Sequence, residues 1–411
     1  MMTCGLLGKK LGHSFSPLIH GQLGDYEYKL FEKQEEEIAD FLATGDFRGI
    51  NVTIPYKKTV MPYLADISDI ARRAGSVNTI VRTEDGLLHG DNTDVYGFMA
   101  MVRHAGIDVS GCKALILGNG GAAGAVRTAL EEMGAKPVII SRSGEYNYGN
   151  LHIHKDAEII VNTTPLGMYP ANGEAAVNLD AFPGCKGVLD LIYNPIRTKL
   201  LMQAERKGIP SSNGLYMLVA QAVRSAEQFM DKKSRIEDTE IDRIYNLLNS
   251  RLSNIVLVGM PGCGKSTIAD RLADLLNREV MDTDREITAT QGRTPQEIIT
   301  EDGEEAFRRI ETAVITEVSK RTGMIIATGG GAVTREENYE QLHQNGIIVW
   351  IKRDIGELAT EGRPLSQNDN LQNMYKVREP MYRRFADFET DNVRVEDAVD
   401  SIIKKLWMLI L

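Results

Sequence analysis

The sequence predicts an α/β protein built as two nucleotide-binding halves, and three observations carry that prediction. Short apolar runs at 137–140, 158–161, 187–191, 324–327 and 346–351 alternate with helix-length segments, the pattern of parallel sheets covered by helices. A glycine-rich loop within 113–130 follows one apolar run and opens an alanine-rich segment, and a second such loop lies within 254–276. At 411 residues the chain exceeds a single core, and roughly two to four compact units are expected.

Composition narrows the class of protein. Hydrophobic residues at 43% and charged residues at 25% are ordinary for a folded, water-soluble chain. A net charge of −10 argues against nucleic acid or an anionic membrane as the main partner. Cys4, Cys112, Cys185 and Cys263 form no C-x-x-C pair, so reduced thiols in a cytoplasmic setting are expected. The first apolar stretch is too short for a signal peptide, and Lys9 and Lys10 follow it instead of preceding it. No stretch approaches a membrane span; residues 406–411 are expected to close an amphipathic helix starting near Glu396.

In chain order, the first glycine-rich element is the run 114–126, a buried strand followed by a G-x-G-x-x-A turn that opens a helix. Gly118 permits the tight turn, Gly120 lets backbone approach a pyrophosphate, and Ala123 allows helix to pack closely on strand. Gly121 and Ala122 complete the expected cofactor contacts. The next strand ends at Ser141-Arg142-Ser143, roughly 20 residues on, where a ribose-reading residue is expected. An acid there would favour NAD; Arg142, beside Ser141, suits a 2′-phosphate, so NADP(H) is predicted. Residues 231–251 are highly charged, lack Gly and Pro, and space Ile236, Ile241, Ile244, Leu247 and Leu248 at helical intervals, which predicts a helical connector. The strand after it runs into Gly259-Met-Pro-Gly262-Cys-Gly264-Lys265-Ser266-Thr267. This is a complete phosphate loop: its N–H groups can cradle phosphates, Lys265 can reach the β- and γ-phosphates of ATP, and Ser266 can ligate Mg²⁺. Cys263 reads as a small filler within it.

Several short strings carry more information than the loops. In the first half they are Gly12-His-Ser14-Phe-Ser16-Pro17, Asn51-Val-Thr53-Ile-Pro-Tyr-Lys57, Gly75-Ser-Val-Asn78-Thr and Asp91-Asn-Thr-Asp94. They continue as Asn162-Thr-Thr-Pro-Leu-Gly167, Asp190-Leu-Ile-Tyr193-Asn-Pro and Gly214-Leu-Tyr-Met-Leu-Val-Ala-Gln221. Hydride reduction of a ketone leaves an alkoxide, so a cation able to release a proton is wanted beside the carbonyl, and Lys57 can be that group. Asp94 can orient the ammonium and accept from a substrate hydroxyl, while Ser14 and Ser16 offer donors for a carboxylate. In order and spacing, over roughly 3–230, these strings resemble the shikimate dehydrogenases. The resemblance implies Lys57 and Asp94 as catalytic groups, with Ser14, Ser16, Thr53, Asn78, Tyr193 and Gln221 holding substrate and Gly214 on the cofactor side. Two departures stand out. The segment 143–158 is shorter than usual and lacks a helix of normal length, and His20-Gly21 replaces the usual His-Asn before a truncated helix.

In the second half, Asp282-Thr-Asp284, Phe307-Arg308-Arg-Ile-Glu311, Thr328-Gly329-Gly330-Gly331, Gly362-Arg363-Pro-Leu and Arg378-Glu-Pro-Met-Tyr-Arg together resemble a shikimate kinase over about 252–411. Two separated arginines, Arg308 and Arg378, suit a grip on one carboxylate, and three glycines let backbone approach a small ring. The resemblance implies that Asp284 binds ring hydroxyls and assists deprotonation, and that Asp282 holds Mg²⁺ through water. It also places Arg363 in a lid at 361–370 that closes on the transferring phosphate.

The expected architecture is therefore a two-subdomain dehydrogenase followed by a P-loop α/β kinase domain at 252–411. In the dehydrogenase, an α/β substrate subdomain takes residues 1–95 and 215–230, and a Rossmann subdomain takes 96–214. The expected partners are the small molecules 3-dehydroshikimate and shikimate, with no nucleic acid and no membrane. A dehydrogenase half acting on quinate is the enzymatic alternative. A degenerate, non-catalytic sensor of such metabolites is the alternative of another class, and the presence of Lys57, Asp94, Lys265, Ser266, Asp282 and Asp284 weighs against it.

Overall fold

The computed structural model describes residues 2–12, 14–231, 236–358 and 368–410. In the first ninety residues, strands β1 (Thr3–Gly8), β2 (Glu27–Glu32), β3 (Gly49–Val52), β4 (Asp66–Ile67), β5 (Thr79–Arg82) and β6 (Leu88–Asp91) form one sheet in the order β2-β1-β3-β5-β6-β4. The sheet is mixed, whereas the sequence predicts parallel sheets: β5 is antiparallel to β3 and to β6. The reason lies in the link from β5 to β6, only five residues long with Gly86 at φ +85. A hairpin is the only connection that short a link can make. Leu7, Ile50, Val52, Tyr56 and Ile80 fill the core on this sheet. Helix α1 (Ser16–His20) is a single short turn opened by Pro17. Helix α2 (Ile38–Thr44) follows, then α3 (Asp69–Ala74), which Ser68 caps and Gly75, at φ +66, ends.

Helix α4 (Thr93–His104) leads into a second, fully parallel sheet of β7 (Lys113–Leu117), β8 (Lys136–Ile140), β9 (Ile159–Asn162), β10 (Gly187–Asp190) and β11 (Ser211–Ser212), ordered β11-β10-β9-β7-β8. Helices α5 (Gly121–Glu132) and α6 (Lys199–Arg206) lie within this stretch, and α7 (Leu215–Phe229) returns to pack on β3, β5 and α4. Between β8 and β9 stands only a 3-10 turn, Leu151–His154, as the shortened segment predicts.

Helix α8 (Asp238–Leu252) is more than a connector. Ile241 and Ile244 are buried, Tyr216 Oη donates to Asp242 Oδ1 at 2.8 Å, and the Tyr245 ring lies 5.2 Å from both His104 on α4 and Tyr216 on α7. A helix with a buried apolar face needs a partner surface, and the Asp242 and Tyr245 contacts tie α8 to α4 and α7. The chain accordingly divides into compact units at 1–245 and 246–411.

The second unit carries a third sheet, again fully parallel: β12 (Asn254–Val258), β13 (Val280–Asp282), β14 (Ile325–Ala327), β15 (Gly346–Lys352) and β16 (Phe388–Asp391), ordered β13-β14-β12-β15-β16. Helices α9 (Lys265–Leu276), α10 (Thr283–Gln291), α11 (Pro295–Asp302), α12 (Glu304–Val318), α13 (Glu336–Asn345), α14 (Asn368–Phe385) and α15 (Val395–Ile410) complete it. In both parallel sheets the strand before the glycine-rich loop, β7 or β12, has neighbours on each side from opposite windings. Its carboxyl end therefore opens a crevice where ligands bind in such folds. Among the described residues no helix is long and apolar enough to cross a membrane, and the four cysteines are free thiols.

Candidate active sites

The turn after β3 carries Lys57, and the first turn of α4 carries Asp94. Their side chains meet at 2.5 Å, with Asp94 almost fully buried. The other carboxylate oxygen accepts from Asn78 Nδ2 at 3.0 Å, and the same amide nitrogen donates to Gln221 Oε1 on α7 at 3.0 Å. Asn78 Oδ1 in turn accepts from the Thr93 backbone N–H at 2.7 Å. Asp94 thus sits at a helix N-terminus with both carboxylate oxygens engaged. A Cβ placed on Gly121 would stand 3.8 Å from Lys57 Cδ, so the first residue of α5 borders the lysine. Four residues expected from the sequence, Lys57, Asn78, Asp94 and Gln221, are therefore brought together against the glycine-rich loop.

Ser14 and Ser16 follow β1, where Ser14 Oγ accepts from the Ser16 N–H at 3.2 Å. Thr53 follows β3, its N–H bound to Leu7 O at 2.9 Å. Tyr193 packs its ring 5.7 Å from that of Phe15, and burial raises its hydroxyl pKa. Asn51, which precedes Thr53, was not singled out from the sequence. Its amide accepts from Tyr28 Oη at 2.7 Å.

Gly118 holds φ +108, and a Cβ there would lie 2.9 Å from Thr163 Oγ1. Only glycine fits this turn. Gly120 has open space where a Cβ would go, leaving its backbone approachable, while Ala123 is fully buried under the helix. Gly124 went unassigned in the sequence motif, yet a Cβ there would overlap Ala74 O and a Cβ on Gly214 would overlap Leu191 O. Ser141 closes a tight turn, its N–H bound to Tyr146 O at 3.1 Å, and Arg142 is exposed beside it. Asp190 is fully buried and accepts from Asn162 Nδ2 at 3.0 Å, Ile192 N at 3.0 Å and Thr198 Oγ1 at 2.7 Å. Burial pushes its pKa up to about 6. It locks the loop that bears Tyr193, a role its place in a motif string does not reveal.

In the second unit Gly259, Gly262 and Gly264 all hold positive φ, at +147, +82 and +95. Lys265 Nζ donates to Gly259 O at 2.9 Å and Met260 O at 3.0 Å. Ser266 Oγ donates to Asp282 Oδ2 at 2.9 Å, while Asp282 Oδ1 caps α10 by accepting from the Asp284 and Arg285 N–H groups. Adjacent hydroxyl and carboxylate oxygens are the hard donors Mg²⁺ takes alongside phosphate and water. A cleft of about 810 Å³ joins this loop, Thr267 included, to Asp284, Arg308, Gly329, Gly330, Gly331 and Arg378.

The arginine reading needs refinement. Arg308 is not a free fork: Nη1 binds Glu311 Oε2 at 2.7 Å and Nη2 binds Glu304 Oε1 at 3.0 Å. Arg378 Nη1 donates to Gly330 O at 3.2 Å. The three glycines also make room for the site's own side chains. A Cβ on Gly331 would overlap the Arg308 guanidinium, and one on Gly329 would lie 2.5 Å from Glu311 and 2.9 Å from Asp284. Glu311 is fully buried, and its pKa is raised by burial, with the charge of Asp284 adding to the effect and Arg308 opposing it. Its position one helical turn after Arg308 was the sequence signal for this pairing. Arg353 also lines the cleft, and Asn392 donates to Cys263 O at 2.7 Å; neither stood out in the sequence. Cys263 itself is fully buried. Arg363 and most of the expected lid lie outside the described residues.

Comparison with known proteins gives each unit a relative. The family model described as shikimate dehydrogenase substrate binding domain matches residues 6–80, and that described as shikimate kinase matches 261–407. A shikimate dehydrogenase (NADP(+)) of Clostridium perfringens strain SM101 is 38% identical over 273 residues, covering 61% of this chain and all of that protein. One from Clostridium beijerinckii is 39% identical over 244 residues, covering 54% and 90%. Among solved structures, a chorismate mutase/shikimate 5-dehydrogenase fusion from Clostridium acetobutylicum matches with TM-score 0.57 and 36% identity over 60% of this chain and 97% of that one. Shikimate 5-dehydrogenase of Thermus thermophilus in complex with NADP(H) and shikimate matches with TM-score 0.55 and 28% identity over 60% and 99%.

Proposed function

The chain belongs to the shikimate dehydrogenase family and carries a shikimate kinase domain behind it, and from this fusion we propose that one polypeptide runs two consecutive reactions. It reduces 3-dehydroshikimate to shikimate with NADPH, then phosphorylates the shikimate 3-hydroxyl with ATP and Mg²⁺. The observation that carries the reading is the Lys57–Asp94 pair at 2.5 Å, set beside the first residue of α5 in a dinucleotide-binding crevice.

In the first site, NADPH would supply the hydride, with the loop from Gly118 to Ala123 against its pyrophosphate and Ser141 and Arg142 toward its 2′-phosphate. Lys57 gives its proton to the alkoxide oxygen as it forms. Asp94 keeps the ammonium aimed and accepts from a ring hydroxyl. Ser14 and Ser16 donate to the substrate carboxylate, while Thr53, Asn78, Tyr193 and Gln221 fix the ring. In the second site, ATP would supply the phosphoryl group and Mg²⁺, held by Ser266 and Asp282, would spread its charge. Asp284 takes the proton of the attacking hydroxyl. Arg308, kept in one orientation by Glu304 and Glu311, grips the carboxylate with Arg378.

The test supplies 3-dehydroshikimate, NADPH, ATP and Mg²⁺ and follows NADPH loss and shikimate 3-phosphate together. Both signals are expected. Failure of either step rejects the two-step reading, and NADP-linked turnover of quinate at rates above shikimate would reassign the first site.

A further inference from the structure

Asn51 lies on β3, one strand removed from Tyr28 on the edge strand β2, with β1 between them. Tyr28 reaches across and donates its hydroxyl to Asn51 Oδ1 at 2.7 Å. Ser225 Oγ on α7 approaches the same oxygen at 3.4 Å. The amide is therefore held with its carbonyl end turned toward these two hydroxyls. Its Nδ2 has the Thr79 hydroxyl as partner at 3.4 Å, long for such a bond, and so keeps donor capacity for a substrate hydroxyl.

Tyr28 is itself clamped. Its ring stacks face to face on His20, centroids 3.9 Å apart and planes 9° from parallel, and His20 stacks in turn on Phe229. Burial pushes the His20 pKa down to about 3, so the ring is neutral under ordinary conditions, and its Nδ1 pairs with Tyr26 Oη at 2.7 Å. A continuous chain of hydrogen bonds results. It runs from Tyr28 to Asn51, by the long 3.4 Å contact to Thr79, on to Asn78, where Thr79 Oγ1 donates to Asn78 Oδ1 at 3.0 Å, and from Asn78 to Asp94 and Lys57.

We propose that Tyr28 is a positioning residue of the reductase site: acting through Asn51, its hydroxyl holds that amide beside the lysine–aspartate pair and sets the donors that grip the ring. The inference rests on the proposed reduction at this site. Linked polar groups of this kind act as a unit, so loss of one member misplaces its neighbours.

Tyr28→Phe keeps the ring and its stack but removes the hydroxyl. KM for 3-dehydroshikimate is expected to rise about tenfold, the scale of one lost hydrogen bond, with kcat within about twofold. KM for NADPH and the rate of shikimate phosphorylation should not move. Asn51→Ala should raise the same KM, and adding Tyr28→Phe to it should cost nothing further, since Tyr28 acts through Asn51. Tyr28→Leu, which also removes the stack, should show the same KM rise plus a lower thermal midpoint. The inference is overturned by an unchanged KM in Tyr28→Phe, by a KM rise confined to Tyr28→Leu, or by losses that multiply in the double variant. If the unaltered chain does not reduce 3-dehydroshikimate at all, the reading of the site falls first and the inference with it. That outcome is distinct, because it appears before any substitution is made.

Discussion

Lys57 and Asp190 illustrate two ways in which a single side chain matters. Lys57 is expected to act on the reacting oxygen, so Lys57→Met should lower kcat for reduction by about 10²–10⁴, the span of one general acid. KM should stay nearly constant, as steady-state kinetics would show. Asp190 works through burial. Its folded pKa of about 6 exceeds the ordinary 3.8, so between those values the folded chain binds more protons than the unfolded one, and stability falls as pH rises across that window. The full cost, on the order of 3 kcal/mol from two pKa units, is present above pH 6. His20, with its pKa depressed to about 3, opposes this, since its contribution is lost as pH falls from 6.5. Asp190→Asn therefore isolates the aspartate: the difference between variant and parent urea-unfolding free energies should grow from pH 4 to pH 6 and then level. A flat difference would reject the shift. The chemistry of ketone reduction pointed to Lys57 and Asp94, and the family resemblance of the strings around them pointed to Asn78 and Gln221. Asp190, Glu311 and Tyr28 were invisible as actors because their roles come from burial and from partners distant in sequence.

At the scale of elements, the glycines separate close packing from ligand access. A Cβ on Gly124 would overlap Ala74 O, where α5 rests on the end of α3, while a Cβ on Gly120 meets nothing. Gly124→Ala should thus cost about 1–3 kcal/mol, as overpacked positions do, seen as a lower thermal midpoint of the first unit. Gly120→Ala should leave that midpoint in place and raise KM for NADPH. In the second unit, Gly331→Ala would displace the Arg308 guanidinium, and KM for shikimate should rise at least about tenfold with little change for ATP, measured in a coupled kinase assay. The strands at 137–140, 187–191, 324–327 and 346–351 were legible because buried parallel strands read as apolar runs. The antiparallel placement of β5 and β6 was not, because a five-residue hairpin leaves only a weak local signal.

For the molecule as a whole, the sheets and cores of each unit are its own, so the two activities should fail separately. Lys57→Met should spare phosphorylation and Lys265→Ala should spare reduction. Helix α8 refines where the first unit ends. Truncation after residue 235 would remove the buried Ile241 and Ile244 along with the α8 contacts to α4 and α7, a loss of about 3–6 kcal/mol at 1.5–3 kcal/mol per side chain, whereas a chain ending at Ser253 should retain dehydrogenase activity and its thermal midpoint. Charge and helical spacing disclosed that helix in advance, but what it leans on could not be read from spacing. A last consequence concerns proteases. Helix α8 ends at Leu252 and β12 begins at Asn254, so a single residue separates helix from strand. Ser253 is buried there, its N–H bound to Asn249 O and its carbonyl held by Arg278 at 2.8 Å. Cleavage needs several residues of yielding, extended chain, and this joint has none to lend; under limited trypsin digestion the scissile bond after Arg251 should stay shut until the last turn of the helix melts.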